Sequence, residues 1–361
     1  EIAIQDVVLE KLPEFTVDIR VKDAVTGVYI EDALVKVKHT YTESNDTTDF
    51  IGRAEVPLYY EDNYEVIVGK WGYETACATH LITEDSDEIT IYLTPGYYDD
   101  FAFTYDWTIN GWATNGLWER DIPNGVTGPD GAIENPYADV PFDCDEYAMI
   151  TGNNGITSGE DQVDNGMTIL MSPTFDLSGY EDPHINFSLW FYNEGETAPN
   201  DTVIIEFLNG MGAINEVLKV HADNIAMSSW QGYSFNVSDH IPISATMRLR
   251  LTVADNTSSD HITEVGFDAF SVTEFSLASV DGISENQEPS ISLYPNPFSD
   301  QLQVSGITEG WVEVFDLSGR SVLEVPVEKT LNLAGLERGT YLFVIKDKDK
   351  NPLQVVQQIK Y

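Results

Sequence analysis

The sequence predicts an all-β protein built as three β-sandwich domains in tandem. Three observations carry that prediction: strand-length runs of β-branched and aromatic residues recur throughout, Gly, Asn, Asp and Pro punctuate them, and helical periodicity sustained over three turns is missing. The 361 residues are too many for one ordinary core, so each domain must bury its own apolar set.

The first domain is expected over 1–96. "FTVDIRVKD" (15–23) alternates as a half-buried strand, and "AVTGVYIEDALVKVKH" (24–39) supplies a turn and a second strand. "RAEVPLY", "NYEVIVGKWGYE" and "ITIYLTPG" continue and close a small antiparallel sandwich. The placing of Asp23, Thr26, Gly27, Ile30, Ala33, Val35, Val37, Gly52, Tyr64, Gly69, Gly72 and Tyr73 resembles the carboxypeptidase regulatory-like, transthyretin-like domain. That resemblance implies an Ig-like, non-catalytic appendage.

The second domain is expected over 97–277. Its long alternating strands, among them "PHINFSLWFYNEG", "DTVIIEFLNG" and "TMRLRLTVADN", are of the kind that stack into a double-sheet jelly roll. Three motifs resemble the MAM-like modules of secreted bacterial peptidases: Trp112, Gly116, Trp118, Pro123 and Gly125; then Val163, Asp164, Gly166, Thr168, Leu170, Ser172, Pro173, Phe175, Asp176 and Leu177; then Glu264, Asp268, Phe270 and Val272. Asn165 and Ala269 depart from that pattern, which has Gly and Asp there. The resemblance implies that the chain is a C-terminal region of a peptidase-type secreted protein.

A polar spacer, "ASVDGISENQEPS" (278–290), leads to the third domain, 291–361. Here "YPNP" blunts the start of a strand, "DLSGR" turns between two alternating strands, and "KDKDKN" forms a charged hairpin tip before the last one. The order of Tyr294, Pro295, Asn296, Pro297, Asp316, Gly319, Arg320, Gly339, Tyr341 and Lys360 resembles the type A C-terminal sorting domain of the Bacteroidetes type IX secretion system. Its implied partners are the translocon, an outer-membrane shuttle and a sortase that cuts in the spacer. The implied location is secreted or cell-surface.

Charge narrows the function further. A net charge of −43 repels nucleic acid, so no such partner is expected. The acids concentrate in the second block, with 29 acidic and 4 basic residues over 97–280. Solvation accounts for many of them, but Asp99, Asp100, Asp161, Asp164, Glu264 and Asp268 fall at a strand start, an adjoining loop and a strand end. A jelly roll can gather them around one structural Ca²⁺, which takes six to eight hard oxygen ligands.

Catalytic signatures are missing. There is no HExxH and no GxSxG, and the single HxxE, His261 to Glu264, has no later histidine to complete a zinc site. His261 is read as a loop residue ahead of the last strand. Trp107, Trp112, Trp118, Trp190 and Trp230 suit a sandwich core better than a sugar-stacking face. A protein or glycan ligand, and with it a self-contained surface adhesin, is the alternative reading. For Cys77 and Cys144, two buried thiols are favoured over a bridge.

Overall fold

The computed structural model describes residues 14–86, 88–128, 131–141, 143–195, 201–221, 229–255, 261–274, 292–294, 300–305, 307, 309–316, 321–336, 339–346, 348, 350 and 352–360. Two compact units, Glu1–Tyr98 and Asp99–Tyr361, make up the chain. The expected spacer at 278–290 lies outside the described residues.

The first unit contains β1 (Phe15–Asp23), β2 (Leu34–His39), β3 (Thr42–Thr47), β4 (Arg53–Leu58), β5 (Asp62–Gly69), β6 (Ala76–Ile82) and β7 (Glu88–Leu93). They form two facing sheets, ordered β4-β1-β7 and β3-β2-β5-β6. Alternation sets the layers: Val17, Ile19 and Val21 of β1 and Val35 and Val37 of β2 are buried in one core. The sandwich is not wholly antiparallel as expected, because β1 pairs β7 in parallel, with Ile19 opposite Ile89. Two short devices hold the meander. Asp23 Oδ1 accepts from Val25 N at 2.8 Å and Thr26 N at 2.7 Å, closing the first turn. Gly52 has φ +66°, and a Cβ there would lie 2.6 Å from the Val21 carbonyl.

A short strand, β8 (Tyr97–Asp99), runs across the unit boundary. The large sandwich follows with β9 (Thr108–Gly111), β10 (Trp118–Asp121), β11 (Val126–Thr127), β12 (Ile133–Asn135), β13 (Ala148–Thr151), β14 (Met167–Met171), β15 (His184–Gly195), β16 (Thr202–Leu208), β17 (Ile214–His221), β18 (Gln231–Asn236), β19 (Arg248–Ala254) and β20 (His261–Thr273). One sheet runs β10-β13-β20-β15-β18 and the other β17-β16-β19-β14-β9, while β11 and β12 form a separate ribbon. Aromatic rings fill the interior, with Trp107 to Phe267 at 5.6 Å, Phe187 to Phe267 at 5.4 Å and Phe175 to Phe270 at 5.6 Å between centroids. Strand β20 lies in the middle of its sheet, between β13 and β15. His261 opens that strand rather than preceding it, and is buried with Nδ1 3.4 Å from Asp201 Oδ2.

The C-terminal sandwich comprises β21 (Ser292–Tyr294), β22 (Gln301–Ser305), β23 (Trp311–Asp316), β24 (Ser321–Pro326), β25 (Thr330–Asn332), β26 (Gly339–Lys346) and β27 (Pro352–Lys360). Its sheets are β21-β22-β25 and β24-β23-β26-β27, closed over Leu293, Leu302, Val304, Val312, Val314, Leu331, Leu333, Phe343 and Ile345. Both cysteines are disulfide-bonded, which corrects the expectation of two buried thiols.

Candidate cation centre

The middle strand of the large sandwich carries one of the most deeply buried acids among the described residues. Asp268 has no exposed surface. The register of β20 against β15 slips just there, between the pairs Asn186–Ser271 and Ser188–Asp268, and Ala269 takes φ +51°. A bulge of this kind re-aims the side chain beside it. Asp268 Oδ1 accepts from Ala269 N at 2.7 Å and Oδ2 from Val140 N at 3.1 Å, so the strand and the loop after β12 meet on one carboxylate.

That loop brings two more acids. Carboxylate oxygens of Asp139, Asp143 and Asp268 lie within 4.8 Å of one another. Asp139 Oδ2 and Asp143 Oδ2 are buried with no hydrogen-bond partner among the described residues. Asp100, fully buried, is tied to the same loop, because its Oδ2 accepts from Cys144 N at 3.0 Å. Arg120 shapes the approach: Nε donates to the Phe101 carbonyl at 2.6 Å and Nη2 to the Ala102 carbonyl at 2.8 Å, fixing the turn in which Phe101 has φ +59°.

Electrostatics follow from this crowding. Burial raises Asp100 to about 7, with the Asp99 charge adding to it, and raises Asp139 to about 6, with Glu146 adding. Asp143 is driven much further, first by burial and then by Asp268, Asp100 and Asp139. Asp268 is likewise held far above the carboxylate range by burial, with Asp100 and Asp139 opposing its ionisation. Carboxylates so placed take up protons or share a cation.

The six acids singled out in the sequence divide between places. Asp100 and Asp268 come together around the loop that supplies Asp139 and Asp143. Asp99 adjoins them, yet its oxygens are engaged by Trp107 Nε1 at 2.7 Å and Phe101 N at 2.9 Å, and burial raises it to about 7. Glu264, Asp161 and Asp164 form another group. Glu264 Oε2 accepts from Thr151 Oγ1 at 2.9 Å, Asp161 Oδ2 from Asn154 N at 3.0 Å and Asp164 Oδ1 from Gln162 Nε2 at 3.1 Å. Burial holds Glu264 well up, and the charges of Asp161, Glu134 and Asp164 add to that. Sequence reasoning missed Asp139 and Asp143, although "ADVPFDCDEYA" is acid-dense and these two carboxylates stand in one loop.

Of these five tryptophans, Trp118 and Trp190 are buried and Trp107 and Trp230 partly so, whereas Trp112 is 64% exposed. In the C-terminal sandwich, Tyr294 ends β21, Asp316 ends β23, Gly339 opens β26 opposite Lys360, and Tyr341 is buried. Pro295, Asn296, Pro297, Gly319 and Arg320 lie outside the described residues.

Residues 292–359 match the family of secretion system C-terminal sorting domains. This domain marks the protein for type IX export across the outer membrane of a Bacteroidetes cell, to a secreted or cell-surface location. No helix among the described residues is long and apolar enough to cross a membrane. No curated protein matches the chain. Solved structures similar to it include carbohydrate-binding modules of the β-sandwich superfamily, at 10% identity and TM-score 0.32, covering 72% of this chain and 98% of the other. A family 11 carbohydrate-binding module from Clostridium thermocellum aligns at 13% identity and TM-score 0.26, over 48% and 92% of the two chains. The K3 cleaved adhesin domain of Lys-gingipain from Porphyromonas gingivalis aligns at 10% identity and TM-score 0.25, over 46% and 98%. Alignments at these scores establish neither a shared fold nor a ligand.

Proposed function

We propose that the chain is a non-catalytic accessory region of an exported protein, in which a Ca²⁺ ion pins the large sandwich and the C-terminal domain carries the export signal. The observation that supports the ion is the set Asp139, Asp143 and Asp268, the last buried and the other two half-buried, with no hydrogen-bonded donor on two of its buried oxygens and with Asp100 tied to the same loop. All candidate ligands are hard oxygens, the donor set that Ca²⁺ prefers. Bound there, the ion would tie the middle strand β20 to the loop after β12 and, through Asp100, to the start of the unit. The resemblances of the first two domains suggest a peptidase-type parent, and that of the third suggests a shuttle and a sortase as partners.

Titration calorimetry of the chelator-treated full chain with CaCl₂ tests the ion: saturable binding, lost in Asp143→Asn, is expected. Heats of dilution alone would sink it. For export, the amount of protein outside the cell is compared with that of a chain ending before residue 291, which is expected to stay inside.

A hydrolase reading also draws on this acid trio, since close carboxylates with one raised pKa are what glycosidases use. It is disfavoured because Asp268 is sealed from solvent. A glycan-binding surface is favoured by one observation, the exposure of Trp112, a residue type able to stack on a sugar ring. Quenching of tryptophan fluorescence by oligosaccharides, abolished in Trp112→Ala, checks that reading.

A further inference from the structure

We propose that Lys360 is a clamp that closes the sorting domain across its two sheets, so that its charge is used inside the fold instead of being displayed to the export machinery. The inference rests on the export reading of this domain.

A lysine at the end of an edge strand normally trails its ammonium into water. Lys360 does not: it is 7% exposed, at the end of β27, which is an edge strand of the sheet β24-β23-β26-β27. Its Nζ donates to the Leu333 carbonyl at 2.7 Å and stands 3.3 Å from Asp300 Oδ1. Both partners flank strands of the opposite sheet, Asp300 just before β22 and Leu333 just after β25. They are already joined to each other, since Leu333 N donates to the Asp300 carbonyl at 2.8 Å. Leu336 N donates to the same Leu333 carbonyl at 3.0 Å, so that oxygen uses both lone pairs. One ammonium therefore fastens the final strand of one sheet to the junction that organises the other.

The two contacts are unequal. Asp300 has a side chain 69% exposed, and an ion pair in that setting is screened. The buried bond to Leu333 carries the clamp, because a charged donor on a buried carbonyl is among the stronger hydrogen bonds and is costly to remove. Methionine at 360 would keep the length and apolar stem and lose the donor. Arginine would keep the charge but impose a planar fork where a point donor fits.

Hydrogen exchange on the full chain, combined with an export assay, tests this. In Lys360→Met, amides of both β27 and β25 are expected to exchange at least about tenfold faster, the loss of one charged hydrogen bond, and the exported fraction is expected to fall with them. Asp300→Asn is expected to change exchange by less than about threefold. Unchanged exchange in Lys360→Met would overturn the clamp. So would acceleration confined to β27, which is edge fraying, or full protection with export lost, which would mean that the charge itself is read. A chain ending before residue 291 separates the two readings: if it is exported normally, the export reading fails while the exchange result still judges the clamp.

Discussion

Replacing Asp268 by asparagine should invert its effect on stability according to whether Ca²⁺ is present. Three carboxylates whose oxygens lie within 4.8 Å repel, when ionised, by about 3.5 kcal/mol per pair or more at an effective dielectric of about 20. Three such pairs come to about 10 kcal/mol, comparable with the whole stability of a domain, so the chelated protein must hold protons there. The Asp268→Asn substitution removes two of the three pairs and gives up one of the hydrogen bonds from Val140 N and Ala269 N, worth about 1 kcal/mol. With chelator, the variant should therefore melt within a few degrees of the parent or above it. With Ca²⁺ at about a thousand times its dissociation constant, the parent gains about 4 kcal/mol. For a sandwich of this size that is a rise of about 8–16 °C. The variant should lose most of it. Differential scanning calorimetry of the full chain, with Ca²⁺ and with chelator, reads all four numbers, and the endotherm that moves is that of the large sandwich. An equal Ca²⁺ shift in parent and variant, or none in the parent, would refute the reasoning.

Other outcomes follow from single contacts. Gly116→Ala should cost more than about 2 kcal/mol, because φ is +63° and a Cβ would lie 2.4 Å from backbone atoms of Gln162 and Val163, which cannot swing aside; chemical denaturation measures the loss. Arg120→Lys should cost about 1–3 kcal/mol, since one ammonium cannot replace the paired bonds to Phe101 and Ala102 while resting on the Tyr147 ring at 3.8 Å; recovery of the Ca²⁺-dependent melt in this variant would show that the turn holds without it. With chelator present, the large sandwich should lose stability as pH rises from about 4 to about 7. Asp99, Asp100 and Asp139 are raised to about 7, 7 and 6, so the folded state holds protons that the unfolded state has released. Saturating Ca²⁺, which needs the ionised forms, should flatten or reverse that slope in pH-dependent melts.

Much of the fold was legible because period-2 burial writes itself into the sequence. Val17, Ile19 and Val21 alternate with Asp18, Arg20 and Lys22, and the strand is there. The parallel pairing of β1 with β7 was not legible, since alternation tells which face is buried and nothing about the direction of the neighbour. The site was partly legible for a related reason. Asp100 and Asp268 flank strand-like runs, and a sandwich that joins its ends brings them close. Asp139 and Asp143 sit in a loop without periodicity, where an acid about to be buried looks like any solvated one. Glu264 is four residues from Asp268 on the same strand, about 13 Å along it, and it hydrogen-bonds Thr151 instead.

The central place of β20 also bears on the order in which the molecule can be assembled. It is the last strand of the large sandwich to leave the ribosome, and it is the one that joins β13 to β15. Until about residue 273 has emerged, the two halves of that sheet wait with open edges, the state most prone to pair with a neighbouring chain. The chain that waits is strongly anionic, part of a net −43, and like-charged nascent copies repel one another. Acidity that burdens the finished fold thus acts, during synthesis, as a guard on an unfinished one.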